Sequence, residues 1–180
     1  MGQYYYAVIL DANGWILKWM APGFGAKLME HSYLGSIGVG KFEWELTPEG
    51  RHHKSRVVWC GDYADVEPGL GKNLHLICNE RNDLMLVPTA ATLSDYPFLV
   101  NHTKRQFVDK RKVAEGGAEG LQIHPLPLLT CEGNGRGGGD FHGESPLIGS
   151  WARDIISAEK SAPVAADGFT ELAFDLVATD

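Results

Sequence analysis

The chain has 180 residues, 44% of them apolar and 22% charged, with 22 glycines and a formal charge of −7 at pH 7. That length holds one well-packed domain, and the glycine content favours a turn-rich fold over a helical bundle. The acidic balance excludes general nucleic-acid binding, which needs a basic surface, and no apolar run approaches the roughly eighteen residues of a membrane span.

The elements follow in chain order. Tyr4 to Leu10 is aromatic and β-branched, Asp11-Ala12-Asn13-Gly14 is a turn, and Trp15 to Met20 returns, so the chain opens on a β-hairpin. Lys27 to Tyr33 predicts a short helix. Phe42 to Leu46 alternates aromatic or apolar residues with Glu43 and Glu45, the pattern of a half-buried strand with its acids in solvent. Arg56 to Cys60 predicts a strand, and Leu74 to Cys78 with Leu84 to Val87 predicts a hairpin. Phe98 to Val100 begins another hairpin that returns through Gln106 to Val108, although Thr103 with Gln106 also fits a capping box. The bases Lys104, Arg105, Lys110, Arg111 and Lys112 read as a solvated face, and 111–120 as a mobile loop. Leu121 to Cys131 carries Pro125 and Pro127, which predicts an edge strand or extended segment. Ile148 to Ile156, with Trp151 and Arg153, is a strand or short helix. Residues 158–168 form a surface connection to a terminal strand over Leu172 to Val177. The sum is a single α+β domain, β-rich, with short, mostly antiparallel strands and two or three short helices.

The run Gly133-Asn134-Gly135-Arg136-Gly137-Gly138-Gly139-Asp140 carries the strongest chemical signal. Successive glycines let backbone N–H groups converge on one anion, and Arg136 adds a forked, permanently charged donor. Glu132 and Asp140 flank it. The spacing matches G-x-G-x-x-G at Gly133, Gly135 and Gly138, but Asp140 to Pro146 cannot open a long helix, so a dinucleotide fold is excluded. There is no Gly-Lys-Ser/Thr ending, so a P-loop is excluded as well. What survives is a generic anion cradle made of Gly133, Asn134, Gly135, Arg136, Gly137 and Gly138, with Glu132 beside it. Trp59 and Tyr63 are the aromatics that could stack on a base.

Gly61-Asp62-Tyr63-Ala64-Asp65, Val100-Asn101-His102-Thr103 and Gly139-Asp140-Phe141-His142-Gly143 are similar to fragments of the metallophosphatase motifs. The resemblance covers about fourteen residues. It implies a divalent metal at Asp62 and Asp65, with His102, His142 and Asp140 as acid–base or ligating groups. The order is permuted, because the Gly-Asp-x-His-Gly element comes last here, and Val100 and Thr103 replace the family's Gly and Glu.

His102, His124 and His142 stand above the other histidines because they flank strand ends or the glycine run. No serine elbow is present and Cys131 lacks a partner pattern. Three cysteines without a Cys-x-x-Cys pair exclude a zinc knuckle. With no signal sequence, they point to a reducing cytoplasm. The expectation is recognition of a small phosphorylated or nucleotide-like ligand and, in an enzyme, hydrolysis or transfer at a phosphoester. The alternatives are a ligand-sequestering module and a protein-interaction or regulatory domain.

Overall fold

The computed structural model describes residues 3–23, 27–88, 95–133 and 145–178. Strands Tyr5–Leu10 (β1) and Ile16–Met20 (β2) form the expected hairpin. Its turn is fixed by Asp11, whose Oδ1 accepts from the N–H groups of Asn13 and Trp15 at 2.8 and 2.9 Å, while Gly14 takes φ 85°. Ser55–Gly61 (β3), Phe98–Asn101 (β4) and Gln106–Asp109 (β5) follow. Cys131–Glu132 (β8), Ile155–Glu159 (β9) and Thr170–Glu171 (β10) complete one sheet in the order β10-β5-β4-β9-β3-β1-β2, with β8 also on β3. Glu115–Gly116 (β6) pairs with Leu121–Gln122 (β7) as a separate small hairpin across 111–120. Pairing is antiparallel except β10 with β5 and β8 with β3. The fold is therefore α+β, as expected.

The helices are Leu28–His31 (α1), Ile37–Glu45 (α2), Leu74–Glu80 (α3) and Pro125–Thr130 (α4). Side chains alternate across a strand, and here both faces are covered. Tyr5, Ala7, Ile9, Val57 and Trp59 meet Phe42 of α2 and Leu126, Leu128 and Leu129 of α4. Val8, Leu10, Val58 and Cys60 meet Leu74 and Cys78 of α3. Burial on both sides explains the uninterrupted apolar character of β1 and β3.

Four segments differ from their sequence patterns. Phe42 to Leu46 is not a strand but the end of α2 and its cap. Glu43 and Glu45 are buried, at 3% and 0% exposure. Leu74 to Cys78 is helical. Asn73 caps it, accepting from the Leu76 N–H at 2.9 Å, and Leu74 and Cys78 face the sheet together at i, i+4 spacing. The segment after His124 is helical because both prolines lie in the first turn, where a missing N–H costs nothing. Leu172 to Val177 is not a strand: the last strand, Thr170–Glu171, lies just before it, and Phe174 and Leu176 pack on the core without a ladder.

Lys110 also leaves the predicted solvated face. It lies in the 3-10 turn Lys110–Lys112, buried, with its ammonium on Glu43 Oε1. Glu43 Oε2 accepts from His124 Nε2 at 3.1 Å, and His124 Nδ1 accepts from the Leu126 N–H at 3.2 Å. That pairing sets the His124 proton on Nε2 and leaves the ring neutral. Among the described residues no helix is long and apolar enough to cross a membrane.

Candidate functional site

β3 is the strand around which the site is built. Its edge is shared by two neighbours. β9 pairs antiparallel at Ser55 and Arg56, and β8 pairs parallel at Trp59 and Cys60. Between them the chain bulges away at Arg153, which holds φ 64° while its N–H donates to Val57 O at 2.8 Å. A non-glycine residue at positive φ costs about 1–2 kcal/mol, and such outliers gather at functional sites.

The residues after the two parallel strands converge on this fork. A cleft of about 450 Å³ is lined by Asp65, Glu67, Glu132, Gly133, Gly149 and Arg153, among others. Arg153 forms its centre. Nε and Nη2 donate to Glu132 Oε1 and Oε2 at 2.6 and 2.9 Å. Nη1 and Nη2 donate to Glu67 Oε2 and Oε1 at 3.0 and 2.5 Å. One guanidinium thus serves two carboxylates with four of its five N–H groups. The hydrogen bonds it donates to Glu67 and then Glu132 raise its pKa further. Two carboxylates on one cation leave a net negative floor, and Asp65 adds to it on the rim.

The loop after β3 is held in place by α3. Asn73 Nδ2 donates to the carbonyls of Asp62 and Ala64 at 3.0 and 3.1 Å. On the opposite wall, Gly149 takes φ 70°, donates to Leu128 O at 2.8 Å, and would place a Cβ 2.5 Å from Cys131 O. Gly149→Ala should therefore cost about 2 kcal/mol or more, the positive-φ strain plus a backbone clash. Gly14→Ala, with φ 85° and open space around it, should show the strain alone. Denaturant midpoints of the two variants measure the difference, and equal losses would rule out the close approach at Cys131.

The sequence-predicted residues fall into separate groups. Glu132, Gly133 and Asp65 line the cleft together. Asp62 accepts from the Tyr4 N–H through Oδ1 at 3.1 Å, so its carboxylate ties β3 to the chain start. Tyr63 is exposed. Trp59 is fully buried in the core against Phe42, and its Nε1 donates to His31 Nε2 at 2.9 Å. Its ring offers no face to a ligand. His102 turns to Ser157, with Nε2 2.8 Å from Oγ. That hydroxyl donates to Glu159 Oε1 at 2.7 Å, which also accepts from His53 Nε2 at 2.7 Å. The Ser157 proton is committed to a carboxylate and His102 is the donor, the reverse of what an activated nucleophile needs. Burial lowers the His102 pKa. Asn134, Gly135, Arg136, Gly137, Gly138, Asp140 and His142 lie outside the described residues.

Among the described residues no group of three or more His, Cys, Asp or Glu side chains could hold a metal ion. Asp140 and His142, which the metallophosphatase resemblance joins to Asp62 and Asp65, lie outside the described residues. Cys131 lines the cleft, but burial pushes its thiol up to about 12, which removes it as a nucleophile at neutral pH.

Sequence reasoning missed Arg153 and Glu67. The available signals were a lone base inside the apolar stretch Ile148 to Ile156, and an acid directly before Pro68-Gly69. Comparison with known proteins assigns no relationship: no family model, no curated protein and no solved structure matches this chain.

Proposed function

We propose that this protein recognises a small phosphorylated, nucleotide-like ligand at the cleft where the glycine run begins. The observation that carries the reading is Arg153, held at positive φ and fixed by Glu67 and Glu132 beside Gly133. Its side-chain network makes a rigid polar floor, and rigid floors discriminate ligands. The floor is acidic, so it repels a bare phosphate and accepts hydroxyl donors such as those of a sugar. The phosphate then belongs to the run from Gly133 to Asp140, where Arg136 supplies the cation and glycines leave the backbone N–H groups accessible.

Recognition is the activity this arrangement supports. Among the described lining residues, only the carboxylates Asp65, Glu67 and Glu132 offer a proton acceptor for hydrolysis.

The test is thermal stabilisation by nucleotides, cyclic nucleotides and sugar phosphates, with and without magnesium. A probe at a hundredfold excess over its Kd should add about 2.7 kcal/mol of stability. Arg136→Ala should abolish that gain. Glu132→Gln, which keeps an acceptor for Arg153, should weaken it. Phosphorus NMR of the recovered probe separates turnover from sequestration. A flat response across the panel overturns the reading and favours a protein-interaction domain.

A further inference from the structure

The cleft at Arg153 shares a wall with a second, larger cavity. Glu67 and Pro68 line both. The second cavity has a volume of about 590 Å³, within the range of small-molecule sites. It lies between the β1–β2 turn and α3, and its lining is mainly apolar: Trp15, Ile16, Leu70, Ile77 and Leu84.

Trp15 is the unusual member. Its backbone is pinned by Asp11, whose Oδ1 accepts the Trp15 N–H at 2.9 Å and whose own N–H donates to Trp15 O at 2.9 Å. Its side chain is nevertheless 58% exposed, whereas Trp19, Trp59 and Trp151 are buried. An exposed indole on a pinned backbone, beside an apolar cavity, offers a flat apolar face on which a ring can stack. The rim supplies polar edges through Lys72 and Glu80, paired at 2.5 Å, and through Arg81.

We infer that this cavity is a subsite for a planar heteroaromatic ring, the base of the nucleotide-like ligand. The inference rests on the functional reading above and names the part of the ligand that the polar cleft does not hold. The shared Glu67–Pro68 wall lets one molecule reach both sites, with its ring against Trp15 and its sugar hydroxyls toward Glu67 and Glu132. A peptide strand is a poorer occupant. The outer edge of β2 is already used at Trp19, whose carbonyl accepts the Leu86 N–H at 2.7 Å. The base is thus read by an exposed tryptophan of the hairpin, not by Trp59.

The experiment uses the four common ribonucleosides, their 5′-monophosphates and ribose 5-phosphate as probes. Binding is read by tryptophan fluorescence quenching and by calorimetry, in wild type, Trp15→Ala, Trp15→Phe and Arg136→Ala. At least one nucleotide should bind tighter than ribose 5-phosphate. Trp15→Ala should weaken it by about 5- to 150-fold, the loss of one stacked base, and Trp15→Phe should recover part of that. Circular dichroism of the variants confirms that they fold.

If ribose 5-phosphate binds as tightly as every nucleotide, or Trp15→Ala leaves nucleotide affinity unchanged, the ring subsite is wrong while the phosphate reading stands. If nucleosides bind through Trp15 as tightly as nucleotides, and Arg136→Ala has no effect, the subsite stands and the phosphate reading falls. No binding by any probe overturns both and leaves the groove to a protein partner.

Discussion

Glu43→Ala is expected to cost about 3–5 kcal/mol of folding stability, the largest effect of any single side-chain truncation proposed for this protein. Glu43 is buried between Lys110 and His124, and all three are nearly inaccessible to water. Removing the carboxylate leaves the Lys110 ammonium buried without a counter-charge and the His124 Nε2–H without an acceptor. The double variant Glu43→Gln/Lys110→Met should recover most of the loss. It removes both charges, and the glutamine amide oxygen still accepts from His124. Urea midpoints of the three proteins decide the matter. A double variant as unstable as Glu43→Ala would mean that shape, not uncompensated charge, sets the cost.

The same triad sets the acid limit of the fold. Burial pushes the Glu43 carboxyl up, but Lys110 and then His124 outweigh it and hold it down, from 4.5 to about 2. A depressed carboxyl contributes stability that is present above its unfolded value and lost as pH falls toward its folded one. The window is therefore about pH 4.5 down to 2, and its size is on the order of 3 kcal/mol. His52, His75, His102 and His124 are all lowered, chiefly by burial, from 6.5. For these the unfolded chain takes up protons first, so stability begins to decline below about pH 6.5. A stability–pH curve should fall in two stages, and Glu43→Gln/Lys110→Met should flatten the lower one.

Arg153→Ala is expected to cost about 2 kcal/mol, between the values for exposed and buried pairs, since its side chain is 34% exposed. Without the guanidinium, Glu67 and Glu132 face each other with nothing between them. Arg153→Lys should rescue little, because an ammonium cannot reproduce the two forked pairings. Arg153→Gly separates the backbone contribution. It loses the same ion pairs but relieves φ 64°, and it should be about 1 kcal/mol more stable than Arg153→Ala. If Ala and Gly were equal, the bulge at β3 would carry no strain. Both variants should lose the ligand stabilisation expected of the wild-type cleft.

Local chemistry made several elements legible. Asp11 to Gly14 specifies its turn through an Asp side chain and a glycine at positive φ, needing no distant partner. The β4–β5 hairpin is local too, its turn closed by the Lys104 N–H on Asn101 Oδ1 at 2.9 Å, and β3 is legible in its continuous apolar run. The glycine run points to Glu132 and Gly133, the Gly-Asp-x-x-Asp resemblance points to Asp65, and the three line one cleft. The errors came where a partner far along the chain inverts the meaning of a residue. Glu43 and Glu45 alternate with aromatics and so predict a strand with its acids in water. They are buried instead, because Lys110 lies 67 residues away in sequence and Arg51 forks onto Glu45 at 2.8 and 3.0 Å. Leu74 to Cys78 predicts a strand by composition, but the second face of the sheet needs a cover, and a capped helix supplies it. Trp59 and Trp15 are chemically identical residues, and only their positions separate a core ring from an exposed one.

The sequence by itself determined the class of fold, the β1–β2 and β4–β5 hairpins and the glycine run with its arginine, since turn chemistry and apolar runs act over a few residues. Tertiary structure alone decided that Glu67, Glu132 and Arg153 meet, and that Trp15 stands beside them across a shared wall. The physical reason is range: Arg153 and Glu67 are 86 residues apart, and the fork of β8 and β9 on β3 closes that distance. No local propensity encodes such a meeting. It follows from which strands share an edge.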